Sequence, residues 1–452
     1  MTNHRQSCYN KIYLQVVFEK GDGAVSYELN RKQIGDHIWF SSVSDSKFKH
    51  NRLSVNFVLP LSQETAADYA VVPFVLRKGC RECPDFTTLN ARLAELYGAV
   101  LDADVSKYGA YQILEVSIRA LDNRFALEHE DIVGQCAALL AAIVLDPKWI
   151  DNAFDAADVA LERQYIVDTI DAEINEKRTY AMRRCLQIMC EGEPAAIPRY
   201  GTREQVEQVT PQSAAAAYRR MLHTAAIEIL FTGSGDPASA ERIFAERMRG
   251  LERGSFDYAC APVCKQADRV REVTETMDIT QGKMVLGLRT GPVETPEQTT
   301  AMRVFAAMYG GTPFSKLFLN VREKLSLCYY CASRYHTFSR LLTVDSGVEF
   351  ENKEKAQKEI LAQLQAIQEG KITEEELRDT KLLMKNAITS TTDSLGAIET
   401  WYLAQILRGQ SLTPAQDAAN IDAVTLDQVV QAAQGLALDT VYFLTGNSKE
   451  GE

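Results

Sequence analysis

The chain has 452 residues, 46% of them hydrophobic and 24% charged, an ordinary composition with enough apolar material for two or three cores. Its formal net charge of -12 argues against nucleic-acid binding, which rests on Lys and Arg neutralising phosphates, and against anionic membrane surfaces. The first eleven residues, MTNHRQSCYNK, lack the apolar region of a signal peptide. No apolar run approaches the roughly 18 residues of a spanning helix. A cytoplasmic location is expected, with the ten cysteines kept as thiols.

In chain order, residues 55–61 (VNFVLPL) alternate like a strand, and a helix is expected to begin near Glu64. Residues 107–118 (KYGAYQILEVSI) read as a strand followed by a long amphipathic helix. Residues 137–145 (AALLAAIVL) read as a buried helix, and 227–233 (IEILFTG) as a closing strand. A stretch rich in Gly, Pro and charge at about 250–268 reads as a linker. The pattern then repeats. Residues 285–291 (VLGLRTG) read as a strand, and Thr295 caps a helix with Pro296 at its first position. Residues 340–350 and 440–446 (TVYFLTG) read as strands, and Thr373–Glu376 and Thr425–Gln428 have capping-box form.

The offsets are similar, 285 − 55 = 230 for the first strand and 446 − 233 = 213 for the shared Thr-Gly. A repeat this long means duplicated domains rather than a solenoid. The expected fold is α+β, a tandem duplication of a unit with strands in one layer and helices in the other. Its domains are expected at about 1–245 and 265–452.

Candidate chemistry is sparse. Six histidines (His4, His37, His50, His129, His223, His336) are scattered with no two within five residues, which excludes both H-E-x-x-H and H-x-x-E-H. Cys80/Cys83 and Cys328/Cys331 have C-x-x-C spacing, and Cys260/Cys264 C-x-x-x-C. Two such pairs can hold structural zinc. However, Cys328 and Cys331 fall in an expected strand, where residues three apart point to opposite faces. The cysteines therefore read as small buried hydrophobes. Gly310-Gly311 lacks the Lys-Ser/Thr of a phosphate loop and reads as a point of close backbone approach. No G-x-S-x-G occurs. Arg322 and Tyr329, seven apart, could hold a peptide carbonyl and stabilise an oxyanion. Taken alone, they read more simply as a surface helix end running into a strand with ordinary aromatic packing.

Residues 310–330 (GGTPFSKLFLNVREKLSLCYY) change that balance. They resemble the second-half signature of the pitrilysin/insulinase metallopeptidases, the inverzincins, in particular their non-catalytic two-domain members from Gram-positive bacteria. The resemblance extends over nearly the whole chain and implies a clamshell of two metallopeptidase-like domains. Lys78-Gly79-Cys80 matches the end of the family's H-x-x-E-H-x-x-x-K-G-T helix. The resemblance therefore places the first His at Ala70, the general base at Pro73 and the second His at Phe74, and all three ligating or catalytic groups are lost. Residues 162–170 (ERQYIVDTI) resemble the segment bearing the third zinc ligand and place Thr169 there, with Asp168 or Glu173 as substitutes if the register differs. Arg322 and Tyr329 match the family's Arg/Tyr pair.

The implied protein is a non-catalytic subunit, inactive on its own. It would supply Arg322 and Tyr329 to a zinc-bearing partner of the same family and half of a chamber around a peptide or unfolded protein. No cofactor is expected in this chain, and zinc is expected in the partner. The alternative is a structural or assembly protein with a peptidase fold and no catalytic contribution.

Overall fold

The computed structural model describes residues 27–254 and 269–446. Most of the expected linker, with Cys260 and Cys264, lies outside the described residues. The first half contributes β1 (Asn30–Gly35), β2 (Ile38–Ser44), β3 (His50–Pro60), β4 (Val100–Tyr108), β5 (Tyr111–Leu121) and β6 (Ala226–Gly233). Its helices are α1 (Ala66–Leu76), α2 (Phe86–Glu95), α3 (Ile132–Leu145), α4 (Ala156–Asn175), α5 (Lys177–Met189), α6 (Arg203–Glu207), α7 (Pro211–Thr224) and α8 (Ala238–Arg247). The second half contributes β7 (Arg271–Met277), β8 (Gly282–Arg289), β9 (Cys328–His336), β10 (Leu341–Val348) and β11 (Ala437–Gly446). Its helices are α9 (Pro296–Ala306), α10 (Lys353–Gln368), α11 (Glu374–Ser390), α12 (Leu395–Leu407), α13 (Pro414–Ala423) and α14 (Leu426–Gln434).

Local chemistry sets many of these boundaries. Thr295 with Gln298, Thr373 with Glu376 and Thr425 with Gln428 form reciprocal capping boxes that start α9, α11 and α14. One strand reading is corrected. Residues 107–118 are not one strand but the end of β4, a turn at Gly109-Ala110 and most of β5. Gly109 has φ of 60°, a left-handed conformation that glycine adopts without Cβ strain.

The two sheets share one plan. The first has the order β1-β2-β6-β3-β5-β4 and the second β7-β11-β8-β10-β9, so the second repeats the first without its outer strand. In each, one pair is parallel, β2 with β6 and β7 with β11, and the remaining pairs are antiparallel. Val55 stands opposite Ile229 and Val285 opposite Tyr442, and 442 − 229 = 213 reproduces the Thr-Gly offset. The duplication therefore extends to strand register.

Each sheet packs one face on helices of its own half. On β3, Leu53, Val55, Phe57 and Leu59 join the first core; on β8, Met284, Leu286 and Leu288 join the second. The opposite faces are closed by exchange. Helix α5 of the first half lies across β8 and β11, and α12 of the second half lies across β3 and β6. Val58 packs with Leu403 and Leu407, and Val285 with Ala181 and Cys185. Covering on both faces explains why β3 is buried without interruption from Leu53 to Leu59.

Ion pairs pin the exchanged helices. Arg184 on α5 meets Glu275 at 2.6 Å, and Arg178 on α5 pairs with Asp345. Glu399 on α12 pairs with Arg52, which also holds Glu115. Arg289 is buried between Asp439 at 2.9 Å and Glu193 at 2.6 Å, and these carboxylates raise its pKa against the cost of burial.

Candidate functional site

The positions that the family resemblance assigns to a zinc motif lie on α1. This helix buries every face, including Ala70, Pro73 and Phe74. Pro73 has no N–H to donate into the helix, which nevertheless continues to Leu76. Phe74 meets Tyr165 of α4 edge to face at 5.4 Å and Tyr200 at 6.5 Å. The Arg77 guanidinium covers the outside of this group, 5.1 Å from the Phe74 ring and 5.6 Å from Tyr165.

Helix α4 supplies the opposing wall. Glu162 is buried and holds Arg77 at 3.2 Å and Lys78 at 2.6 Å. Thr169 is one turn beyond Tyr165 on the same face, and its hydroxyl donates to the Tyr165 carbonyl at 2.8 Å. Asp168 accepts from Gln164 at 2.7 Å, and Glu173 pairs with Arg183 at 2.9 Å. The donor set does not fit zinc: α1 offers no imidazole and no carboxylate at the motif positions, and the space is filled with aromatic rings. Sequence reasoning located α1 and the Glu162–Ile170 segment but missed Tyr165, Tyr200 and Arg77 as the filling. Nothing in a single segment signals which aromatic residues from distant segments converge.

The second-half candidates sit at the sheet edge. Chain direction changes after α9 through two wide helical turns, Ala307–Gly311 and Leu317–Lys324. Gly310 permits this. A Cβ there would lie 2.6 Å from the Ser333 nitrogen of β9, so the expected close backbone approach is observed.

Arg322 lies in the second wide turn, with its guanidinium 4.7 Å from the Phe318 ring and 3.5 Å from Glu323. Tyr329 lies at the start of β9 and is 59% exposed. Its hydroxyl donates to the Glu349 carboxylate, which raises its pKa. The charge of Arg322 reaches Cys328, the neighbour of Tyr329, so the two candidates share one region. Among the described residues, their side-chain hydrogen bonds, ion pairs and ring contacts are with the second half.

The register explains the exposure of Tyr329. Gly347 pairs with Tyr330, but Val348 pairs with Cys328, so Tyr329 is the extra residue of a β-bulge. The bulge also corrects the cysteine reading. Cys328 and Cys331 are not on opposite faces; both join the second core. Cys80 and Cys83 are likewise buried thiols, in a loop closed by a 3.0 Å hydrogen bond from the Cys80 nitrogen to the Cys83 carbonyl. Among the described residues, no group of three or more His, Cys, Asp or Glu side chains could hold a metal ion, and no helix is long and apolar enough to cross a membrane.

Known proteins share this fold. The family profile described as "Peptidase M16 inactive domain" matches residues 208–384, a stretch that includes Arg322 and Tyr329. The chain is 30% identical over 409 residues to the "Probable inactive metalloprotease YmfF" of Bacillus subtilis (strain 168), covering 89% of this chain and 95% of that protein. Among solved structures, a conserved protein from Enterococcus faecalis V583 superposes with a TM-score of 0.85 at 28% identity, covering 94% of this chain and all of that one. A peptidase M16 inactive domain from Pseudomonas fluorescens gives 0.73 at 16% identity, covering 94% of this chain and 100% of that chain, a likeness of fold.

Proposed function

The chain belongs to the M16 peptidase family, and from that premise we propose that it is the non-catalytic subunit of a two-chain zinc peptidase. In this reading a partner of the same family brings the zinc and the general base. This chain brings Arg322, Tyr329 and half of a chamber that encloses a peptide or unfolded protein. The observation that carries the reading is the contrast between its two halves. The positions assigned to a zinc motif are packed solid with Ala70, Pro73 and Phe74, whereas Tyr329 stands 59% exposed. A large aromatic residue kept at the surface with a hydrogen-bonding hydroxyl suits recognition better than packing.

The exchange of α5 and α12 supports a chamber shared with a second chain. Each half closes the other's sheet, so opening between the halves would strip two cores. Arg322 would hold a substrate carbonyl or carboxylate through its fork of N–H donors. The Tyr329 hydroxyl, released from Glu349, would donate to the oxygen that becomes negative during peptide cleavage.

The test is reconstitution. The purified chain is mixed with a zinc-bearing M16 subunit of its host, and peptide cleavage is compared with that of each chain alone. Cleavage only by the pair is expected. A stable pair whose activity is indifferent to Arg322→Ala and Tyr329→Phe would establish the structural reading instead.

A further inference from the structure

We propose that a cleft between α4, α5 and residues 195–204 binds the free carboxyl end of a peptide whose last side chain is apolar. The peptide class rests on the chamber proposed above; the site itself needs no partner.

The cleft has a volume of about 480 Å³, within the roughly 300–1,000 Å³ of small-ligand sites. That is room for the end of a peptide and not for a folded chain. Ile170 and Ile174 of α4, Met182 and Leu186 of α5, and Ile197 give it an apolar lining, against which an apolar side chain leaves water.

The charged lining is mainly cationic, although the chain carries a net charge of -12. Lys107, Arg183, Arg199 and Arg203 stand against Glu173 and Glu204. Glu204 is exposed, and Arg203 is occupied by Asp171 at 3.0 Å and Glu207 at 2.6 Å. That leaves Glu173 alone among three cations. It meets Arg183 at 2.9 Å and Arg199 at 3.6 Å, and one carboxylate cannot neutralise both.

The donors are fixed before any ligand arrives. The Lys107 ammonium donates to the Ala195 carbonyl at 2.7 Å and the Ile197 carbonyl at 2.6 Å. Gln112 donates to the Arg199 carbonyl at 2.6 Å. The Arg199 guanidinium lies 4.5 Å from the ring of Tyr200, which is itself buried. Such preorganisation lowers the cost of binding.

These donors also lack acceptors. Among the described residues, no carboxylate pairs with Lys107, and no acceptor takes a hydrogen bond from the Arg199 fork. The Arg183 Nε is buried without a hydrogen-bond partner. Burial lowers the Lys107 pKa to about 8, so it remains mostly a cation at neutral pH. A carboxylate supplies the missing counter-charge and matches the planar fork of an arginine through two parallel hydrogen bonds.

The test uses the full chain and a hexapeptide ending in leucine, labelled with fluorescein at its amino end, as the free acid and as the amide. Binding is read by fluorescence anisotropy. The acid should bind at least about tenfold more tightly than the amide, the difference that charged hydrogen bonds confer. Arg199→Gln should remove that preference, and Arg203→Gln, which deletes a cation already neutralised, should keep it. Octanoate should displace the peptide only at far higher concentration. Equal binding of acid and amide, an acid preference that survives Arg199→Gln, or displacement by octanoate at equal concentration would overturn the proposal. Melting curves identify folded variants, and the acid–amide comparison on the wild type decides the matter where a variant does not fold. Because no partner is present, failed binding leaves the roles of Arg322 and Tyr329 standing, and a failed reconstitution leaves this site standing.

Discussion

Tyr329 differs from phenylalanine by one hydroxyl, and that atom separates the readings of this chain. Because the side chain is exposed and hydrogen-bonded to Glu349, Tyr329→Phe should leave the melting temperature within the range of ordinary surface changes. If the hydroxyl serves a partner's zinc site, activity of the reconstituted pair should fall on the order of 100–1,000-fold, the loss typical of one oxyanion donor. Metal analysis of the isolated chain is a second test at this scale. Phe74, at the position the resemblance assigns to a ligand, packs against Tyr165 and Tyr200, so no stoichiometric zinc is expected. One tightly held zinc, lost on changing Asp168 or Glu173, would refute the lost-site assignment. A third concerns His336, which burial, then the Arg334 and Lys107 charges, lower to about 4. The unfolded chain takes up this proton near pH 6.5 and the folded chain does not, so stability is lost as pH falls through that window. Between pH 7 and 5 the wild type should lose roughly 1–2 kcal/mol more than His336→Gln in urea titrations; equal losses would show that His336 is not the group responsible.

Among the elements, the exchanged helices are the most consequential. Helix α5 approaches β8 so closely that a Cβ on Gly287 would lie 2.6 Å from the Met189 sulfur. Gly287→Val should therefore cost about 1–3 kcal/mol through overpacking, and Met189→Ala should recover part of that loss, because the two changes share one space. Additive costs in denaturant titrations would mean that α5 does not rest on β8 as described. The capping boxes that start α9, α11 and α14 were legible because they depend on residues three apart. The path of α5 was not: its sequence says only that it is amphipathic, and its partner strands β8 and β11 begin 282 − 189 = 93 and 437 − 189 = 248 residues beyond its end.

For the whole molecule, exchange has a thermodynamic consequence. Neither sheet closes its second face with its own helices, and Arg289 lies buried between carboxylates of both halves. Removing one partner of such a cluster costs about 3–5 kcal/mol. The two halves should then unfold together, in a single calorimetric transition despite the duplicated architecture. Two separated transitions would show that the halves are stable independently. In the proposed chamber, the same coupling would make the chain one rigid wall rather than a pair of closing jaws.

The sequence by itself determined the duplication, the α+β class and the absence of a zinc motif. Each rests on local pattern or on side-chain chemistry: apolar alternation at similar offsets, caps at fixed spacing, and histidines too far apart to form either zinc motif. It also placed Arg322 and Tyr329 in one region, through resemblance rather than periodicity. Only the tertiary structure decided that α5 and α12 cross between halves, that Tyr165 and Tyr200 pack on Phe74, and that a bulge at Tyr329 turns Cys328 and Cys331 to the same face. The reason is common to all three. Alternation and capping act between near neighbours in the chain, whereas packing and strand register are set by contacts between segments that only the complete fold brings together.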